Sequence, residues 1–191
     1  MKRIFSFSLI IIIAYLLSAF VRVLIVQTYY IPTISMAPEL NVNDRVLVIK
    51  STLFSNEIDY GDIVVFYPSD NSPPRLYELL IDSININKIR NIDINNPVYI
   101  KRVVGKEYDH IKISNSGILY INNEVQDYPK IDTNNLNIKE WLVPSGSYFV
   151  LGDNLLKSND SRQYGPIDKK SIVGKAWIKI YPFDEIKVLN D

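Results

Sequence analysis

The sequence predicts a mainly β body, an antiparallel sheet, behind a single amino-terminal transmembrane helix. Three observations predict it. An uncharged apolar run fills residues 4–21. Beyond it, short β-branched and aromatic runs alternate with Gly, Pro and Asn breakers. The chain is 191 residues long, enough for one ordinary domain with a core that needs no staple.

The run Ile4–Val21 reads IFSFSLIIIIAYLLSAFV and holds no charge, Pro or Gly. As a helix it spans about 27 Å. With Arg22 snorkelling, Val23–Val26 completes a bilayer crossing, so residues 1–26 read as a membrane anchor. Lys2, Arg3 and the amino terminus outweigh Arg22, which places the amino terminus in the cytoplasm and the body outside it. The alternative is a cleaved secretory signal. Such signals carry an apolar core of about 7–15 residues and a small-x-small site. This run is longer, and no such site follows Arg22.

Residues 27–191 form the expected outer body. Arg45–Lys50, Asp62–Phe66, Val98–Val104, Ile111–Ser114, Ile118–Asn122, Ser147–Leu151 and Ile172–Tyr181 read as strands. Gly61, Pro68, Pro97, Gly117, Pro144, Gly146 and Gly152 separate them. Residues 120–124 read as a hairpin, with Asn at the positive-φ position. Ser69–Asn96, rich in Asn, Asp and Ile, reads as a surface insertion with a short helix over Arg75–Asp82.

Composition removes several chemistries. There is no Cys, hence no disulfide scaffold, thiolate nucleophile or Cys-ligated metal. One His, His110, precludes a multi-His metal site. Net charge is zero, against bulk binding of nucleic acid. That zero is an average. Lys2, Arg3 and Arg22 are the charges of residues 1–22, so the chain from Val23 onward is acidic by about three charges.

Three segments carry chemical potential. In Ile31–Leu40, two prolines bracket Ser35 in a restricted loop. Taken alone, such a serine is a turn residue far more often than a nucleophile. In Val98–Gly105, Lys101 and Arg102 interrupt an apolar strand and face opposite ways. A lysine flanked by Tyr99 and Val103 is desolvated and drops toward the range of a base. The same lysine could instead guard a sheet edge. The third segment, Leu151–Asn154 with Ser158–Arg162, is a solvated Asx-rich turn or a structured loop in which Asp160 and Arg162 pair.

Together these segments resemble the type I signal peptidases. Ile31–Leu40 resembles the family's nucleophile segment, Ser-Met-x-Pro at its centre. Gly61–Phe66 is similar to its second box, Tyr99–Gly105 to its Lys-Arg box, and Gly152-Asp153-Asn154 with Ser158-x-Asp160-Ser161-Arg162 to its final box. The order is the family's, and the matches span most of Tyr30–Pro182.

The resemblance implies a Ser-Lys endopeptidase on a β fold that cuts signal peptides from exported preproteins, without metal or cofactor. By matched position Ser35 is the nucleophile and Lys101 the general base. Thr33 joins the Ser35 N–H in the oxyanion hole. Ser158 orients the Lys101 ammonium, Asp160 and Arg162 hold that loop, and Met36 packs beside the site. Tyr29, Tyr30, Ile31, Pro32, Leu40, Val65, Tyr99 and Ile100 line shallow pockets for small side chains before the cut. Substrate pairs by strand addition. The implied setting is the cytoplasmic membrane, with the bilayer, preprotein signal peptides and the secretion translocon as partners. Only about nine residues, at most 30 Å extended, separate Val26 from Ser35, which keeps the centre near the bilayer.

Three positions depart from the family pattern. Ile34 stands where Gly is usual, Glu107-Tyr108-Asp109 replaces Pro-Gly-Asp, and Leu155-Leu156-Lys157 replaces a polar continuation. Two rival readings remain: a specialised pilin- or conjugation-type processing peptidase, and an inactive membrane-anchored assembly factor. Intact Ser35, Lys101, Ser158 and Asp160 weigh against the second. A self-cleaving repressor would need a DNA-binding helix pair. The eukaryotic-type enzymes use His in place of Lys101.

Overall fold

The computed structural model describes residues 2–50, 58–68, 98–134 and 139–189. The expected insertion at 69–96 and its short helix lie outside the described residues. Helix α1 runs Lys2–Leu24, without a Gly or Pro to stop it earlier. Side chains are described for residues 7–18 of it, and these are exposed. Among the described residues, no helix is long and apolar enough to cross a membrane.

The strands are β1 (Val26–Tyr30), β2 (Arg45–Lys50), β3 (Ile63–Phe66), β4 (Tyr99–Gly105), β5 (His110–Ile113), β6 (Leu119–Ile121), β7 (Glu124–Val125), β8 (Glu140–Leu142), β9 (Ser147–Leu151), β10 (Ile167–Asp168), β11 (Ile172–Tyr181) and β12 (Lys187–Val188). A short helix, α2, covers Ser161–Tyr164. The larger sheet has the order β1-β2-β11-β3-β4-β9-β10, with β12 paired to β11. The smaller sheet has the order β7-β6-β5-β8. All these pairings are antiparallel.

The mainly β, antiparallel expectation therefore holds, and each run read as a strand overlaps one, with bounds shifted by a residue at several ends. The hairpin at residues 120–124 forms between β6 and β7, with φ of 52° at Asn122 and 70° at Asn123. Strand β1 differs from the expectation that the anchor reaches Val26. The helix ends at Leu24, and Val26–Tyr30 pairs along β2, from Val26↔Ile49 to Tyr30↔Arg45. Strands β8, β10 and β12 are two or three residues long, too short for a periodic signal.

Strand β3 shows how the core is divided. Its four residues are all buried. Ile63 and Val65 pack with Ile31, Met36, Leu40, Val46 and Ile100. Val64 and Phe66 face the other way, into Val103, Val150 and Ile172. This is period-two alternation with apolar residues on both faces. A third cluster, including Ile111, Leu119, Phe149 and Leu151, joins the two sheets. There Gly105 permits close approach, since a Cβ would fall 2.7 Å from Ile111 Cδ1.

Candidate active site

Ser35 sits on the turn after β1. The Ala37 N–H donates to Ile34 O (3.2 Å) and the Leu40 N–H to Met36 O (2.8 Å). Ile31, Met36 and Leu40 are buried beneath it in one cluster, so the turn is fastened from below. Ile34 is not among the residues with positive φ, so replacing the usual Gly costs no backbone strain there. At the other departure, Tyr108 takes the left-handed conformation (φ 69°), which a Gly would adopt without cost. Asp109 beside it accepts from the Lys106 N–H, Tyr60 Oη and Asn122 Nδ2, and these bonds hold the turn.

Lys101 comes from the middle of β4, paired opposite Val64 of β3. It is 4% exposed and Ser35 is 6% exposed. Lys101 Nζ donates to Ser35 Oγ at 2.8 Å and to Ile100 O at 2.8 Å. The face of Tyr99 lies 5.9 Å from Nζ. Burial pushes the Lys101 amine down from 10.5 to about 8, while Asp160 and Asp153 pull weakly the other way. Thr33 Oγ1 lies 3.3 Å from Ser35 Oγ.

Arg102 faces away, as alternation requires. Its Nε and Nη2 grip the Asp153 carboxylate at 2.8 and 2.7 Å, and Nη1 donates to Gly61 O at 2.8 Å.

The segment after β9 closes the site. Asp160 is fully buried. It accepts from Arg162 Nε (2.7 Å) and Nη2 (2.9 Å), and from the Gly152 N–H (3.0 Å). Arg162 Nη2 also reaches Leu155 O and Ser158 O. A buried carboxylate so paired is a strut, and removing one partner costs about 3–5 kcal/mol. The Asn154 N–H donates to Ser35 O at 3.0 Å, tying this segment to the Ser35 turn. Ser161 Oγ accepts from the Val150 N–H. Ser158 Oγ is buried and has no hydrogen-bond partner among the described residues, so it does not bond Lys101 here.

Gly152 is a residue whose individual part the sequence did not single out. A Cβ there would lie 2.2 Å from Ser158 Oγ and 2.5 Å from Ser35 O. Only a glycine lets these two segments meet. Asp153 and Tyr164 were also missed individually. The first clamps Arg102, and the second packs its ring 6.5 Å from Tyr99. The cation at Arg102 was the available signal for Asp153. For Tyr164 there was none, because its partners are distant in sequence.

Of the expected substrate-binding residues, Ile31, Leu40, Val65 and Ile100 share one buried cluster, with Tyr29 packed against it. Pro32 is exposed at the rim. Tyr99 belongs to the neighbouring cluster. Tyr30 is exposed, and its hydroxyl donates to Asn43 Oδ1. The structure thus brings five of these eight residues to one buried apolar cluster and leaves Tyr30, Pro32 and Tyr99 outside it.

A family model described as signal peptidase, peptidase S26, matches residues 4–181. Signal peptidase IB of Staphylococcus aureus (strain COL) is 30% identical over 205 residues, covering 97% of this chain and 94% of that protein. "Probable signal peptidase I-2" of Synechocystis sp. is 28% identical over 179 residues, covering 93% and 73%. The crystal structure of a signal peptidase I from Enterococcus faecalis V583 overlaps 63% of this chain and 97% of that one, at 23% identity and a TM-score of 0.40. With a match that runs through all four boxes and nearly the whole chain, this protein belongs to the signal peptidase family, peptidase S26.

Proposed function

We propose that this chain is a membrane-anchored serine endopeptidase that removes amino-terminal signal peptides from exported preproteins through a Ser35–Lys101 dyad. The observation that carries the reading is the 2.8 Å contact between Lys101 Nζ and Ser35 Oγ in a buried site. A serine hydroxyl needs a partner base to become nucleophilic. A lysine lowered to about 8 is about one-tenth neutral at pH 7, far more than an ordinary lysine.

In the reaction the neutral Lys101 amine accepts the Ser35 Oγ proton as Oγ attacks the scissile carbonyl carbon. The developing oxyanion is held by the Ser35 N–H and Thr33 Oγ1. The ammonium then donates its proton to the leaving amine, the new amino terminus of the mature protein. This leaves an ester on Ser35. Water, deprotonated by the same amine, hydrolyses the ester and frees the signal peptide. Ser158 Oγ, without a partner among the described residues, is the acceptor for the ammonium. The cluster of Ile31, Leu40, Val65 and Ile100 is the floor for small side chains before the cut, and it rejects long or charged ones by steric and desolvation cost.

Helix α1 is the proposed anchor. Its apolar run and basic tip favour a single crossing of the cytoplasmic membrane, amino terminus inside and body outside. There the bilayer, the emerging signal peptide and the translocon are its neighbours. The test is cleavage of an Ala-x-Ala preprotein in detergent by the wild type, Ser35→Ala and Lys101→Ala. The wild type cleaves and neither variant does. Cleavage by Lys101→Ala at the wild-type rate overturns the dyad.

A further inference from the structure

Ser35 lies where two tight turns meet. Residues 34–37 form the first, closed by the Ala37 N–H donating to Ile34 O. Residues 154–157 form the second, closed by the Lys157 N–H donating to Asn154 O at 3.1 Å. The Asn154 N–H to Ser35 O bond joins them. Each turn presents a large aliphatic side chain to solvent. Ile34 opens the first turn and is 46% exposed. Leu156 sits at the tip of the second and is 77% exposed. Leu155, its neighbour, is held against the core of the smaller sheet, so the second turn is anchored while Leu156 is left outside.

Scattered exposed aliphatic residues need no explanation. These two lie on segments joined at one serine: Ile34 precedes Ser35, and Leu156 lies two residues after Asn154, whose N–H bonds Ser35 O. Neither belongs to the buried cluster of Ile31, Leu40, Val65 and Ile100, proposed above as the floor for the residues before the cut. The part of an extended substrate still without a partner is the stretch after the scissile bond.

We propose that Ile34 and Leu156 form an apolar subsite for the first residues of the mature chain, so that the enzyme selects preproteins with an aliphatic residue just after the cut. The inference rests on the peptidase reading and adds a substrate preference to it. The subsite is shallow and open. It confers partial burial on an aliphatic side chain and costs a polar one part of its hydration. Both effects act on kcat/KM.

The test uses the full chain in detergent and two preproteins that share an Ala-x-Ala signal. One carries Leu at the first two mature positions, the other Ser. The expected preference for Leu over Ser is about fivefold to tenfold for the wild type. The preference collapses toward one in the Ile34→Ser, Leu156→Ser double variant and survives in Leu156→Met, which keeps the apolar surface. Wild type that cleaves both substrates equally, or a double variant that keeps the preference, overturns the subsite and leaves the peptidase reading standing. Wild type that cleaves neither overturns both. A repeat in lipid vesicles separates the remaining occupant. Equal losses on both substrates, seen with vesicles but not with detergent, would assign the two side chains to lipid contact and overturn the subsite.

Discussion

Lys101 and Arg102 are adjacent cations on one strand, and the two faces of β4 treat them in opposite ways. Lys101 enters a buried site where it meets a hydroxyl, a carbonyl and an aromatic face. Its two nearest carboxylates, Asp160 and Asp153, are committed to arginines. Its amine is pushed down to about 8. Arg102 meets a carboxylate in a two-point grip, and its pKa is raised, chiefly by that grip. One face withholds a counter-ion and lowers an amine toward the range of a base. The other supplies one and makes a strut. The two sides can be told apart, since loss of a base shows in the rate and loss of a strut shows in stability.

The largest effect is expected from Lys101→Met. Turnover falls to background, about 10⁴-fold or more, because among the described residues no other base reaches Ser35 Oγ. Stability moves the other way. The folded chain holds the lysine proton less tightly than the unfolded chain, whose value is near 10.5. The burdened ammonium therefore destabilises the fold fully below about pH 8, and the burden fades as pH rises to about 10.5. Lys101→Met relieves about 3 kcal/mol at pH 7. Thermal melting at pH 7 and pH 10 would show a raised Tm at the first and a smaller gain at the second. A lowered Tm at pH 7 would mean that Lys101 is not desolvated.

Thr33→Val tests the same face with a smaller loss. Removing one oxyanion donor lowers kcat about 10²–10³-fold. Single-turnover acylation with a preprotein measures it. A change confined to KM would place Thr33 in ground-state binding.

Arg102→Met should cost stability first. It strands Asp153, whose side chain is 12% exposed, and lowers unfolding free energy by about 3 kcal/mol. The rate falls far less than for Lys101→Met, through loosening of the Asn154–Ser35 tie. Arg102→Lys restores the charge but not the fork, and recovers only part of the Tm. A variant as stable as the wild type but inactive would erase the contrast between the faces.

The same strand marks how far the sequence could be read. The alternation of β4 and the motif order identified Lys101, Ser35 and the pairing of Asp160 with Arg162, because each is a local pattern or a matched position. Strands β2, β3, β9 and β11 were legible as β-branched runs, whereas the burial of β3 on both faces shows only in the fold. Strand β1 was not, because apolar residues that end a helix and residues that begin a strand look alike around Val26. The role of Gly152 was hidden because it depends on two segments, ending at Ser35 and Ser158, that meet only in three dimensions. The expected Ser158 contact to Lys101 differs for a similar reason. Position in a motif places Ser158 near the site, but rotamer and neighbours decide whether its hydroxyl bonds.

The smallest effect concerns pH, and it joins the two faces. With Lys101 as base, kcat/KM rises about tenfold per pH unit on the acid side and levels off above about pH 8. Arg102 stays charged throughout and contributes no limb. Asp153 couples the faces, since the carboxylate that grips Arg102 also favours the Lys101 ammonium. Asp153→Asn removes that influence and leaves the Arg102 charge unneutralised, and both changes disfavour the ammonium. The acid limb should therefore move to lower pH, and activity at pH 6 should rise relative to the plateau even as Tm falls. A limb that moves to higher pH would show that Asp153 acts on Lys101 through geometry instead of through its charge.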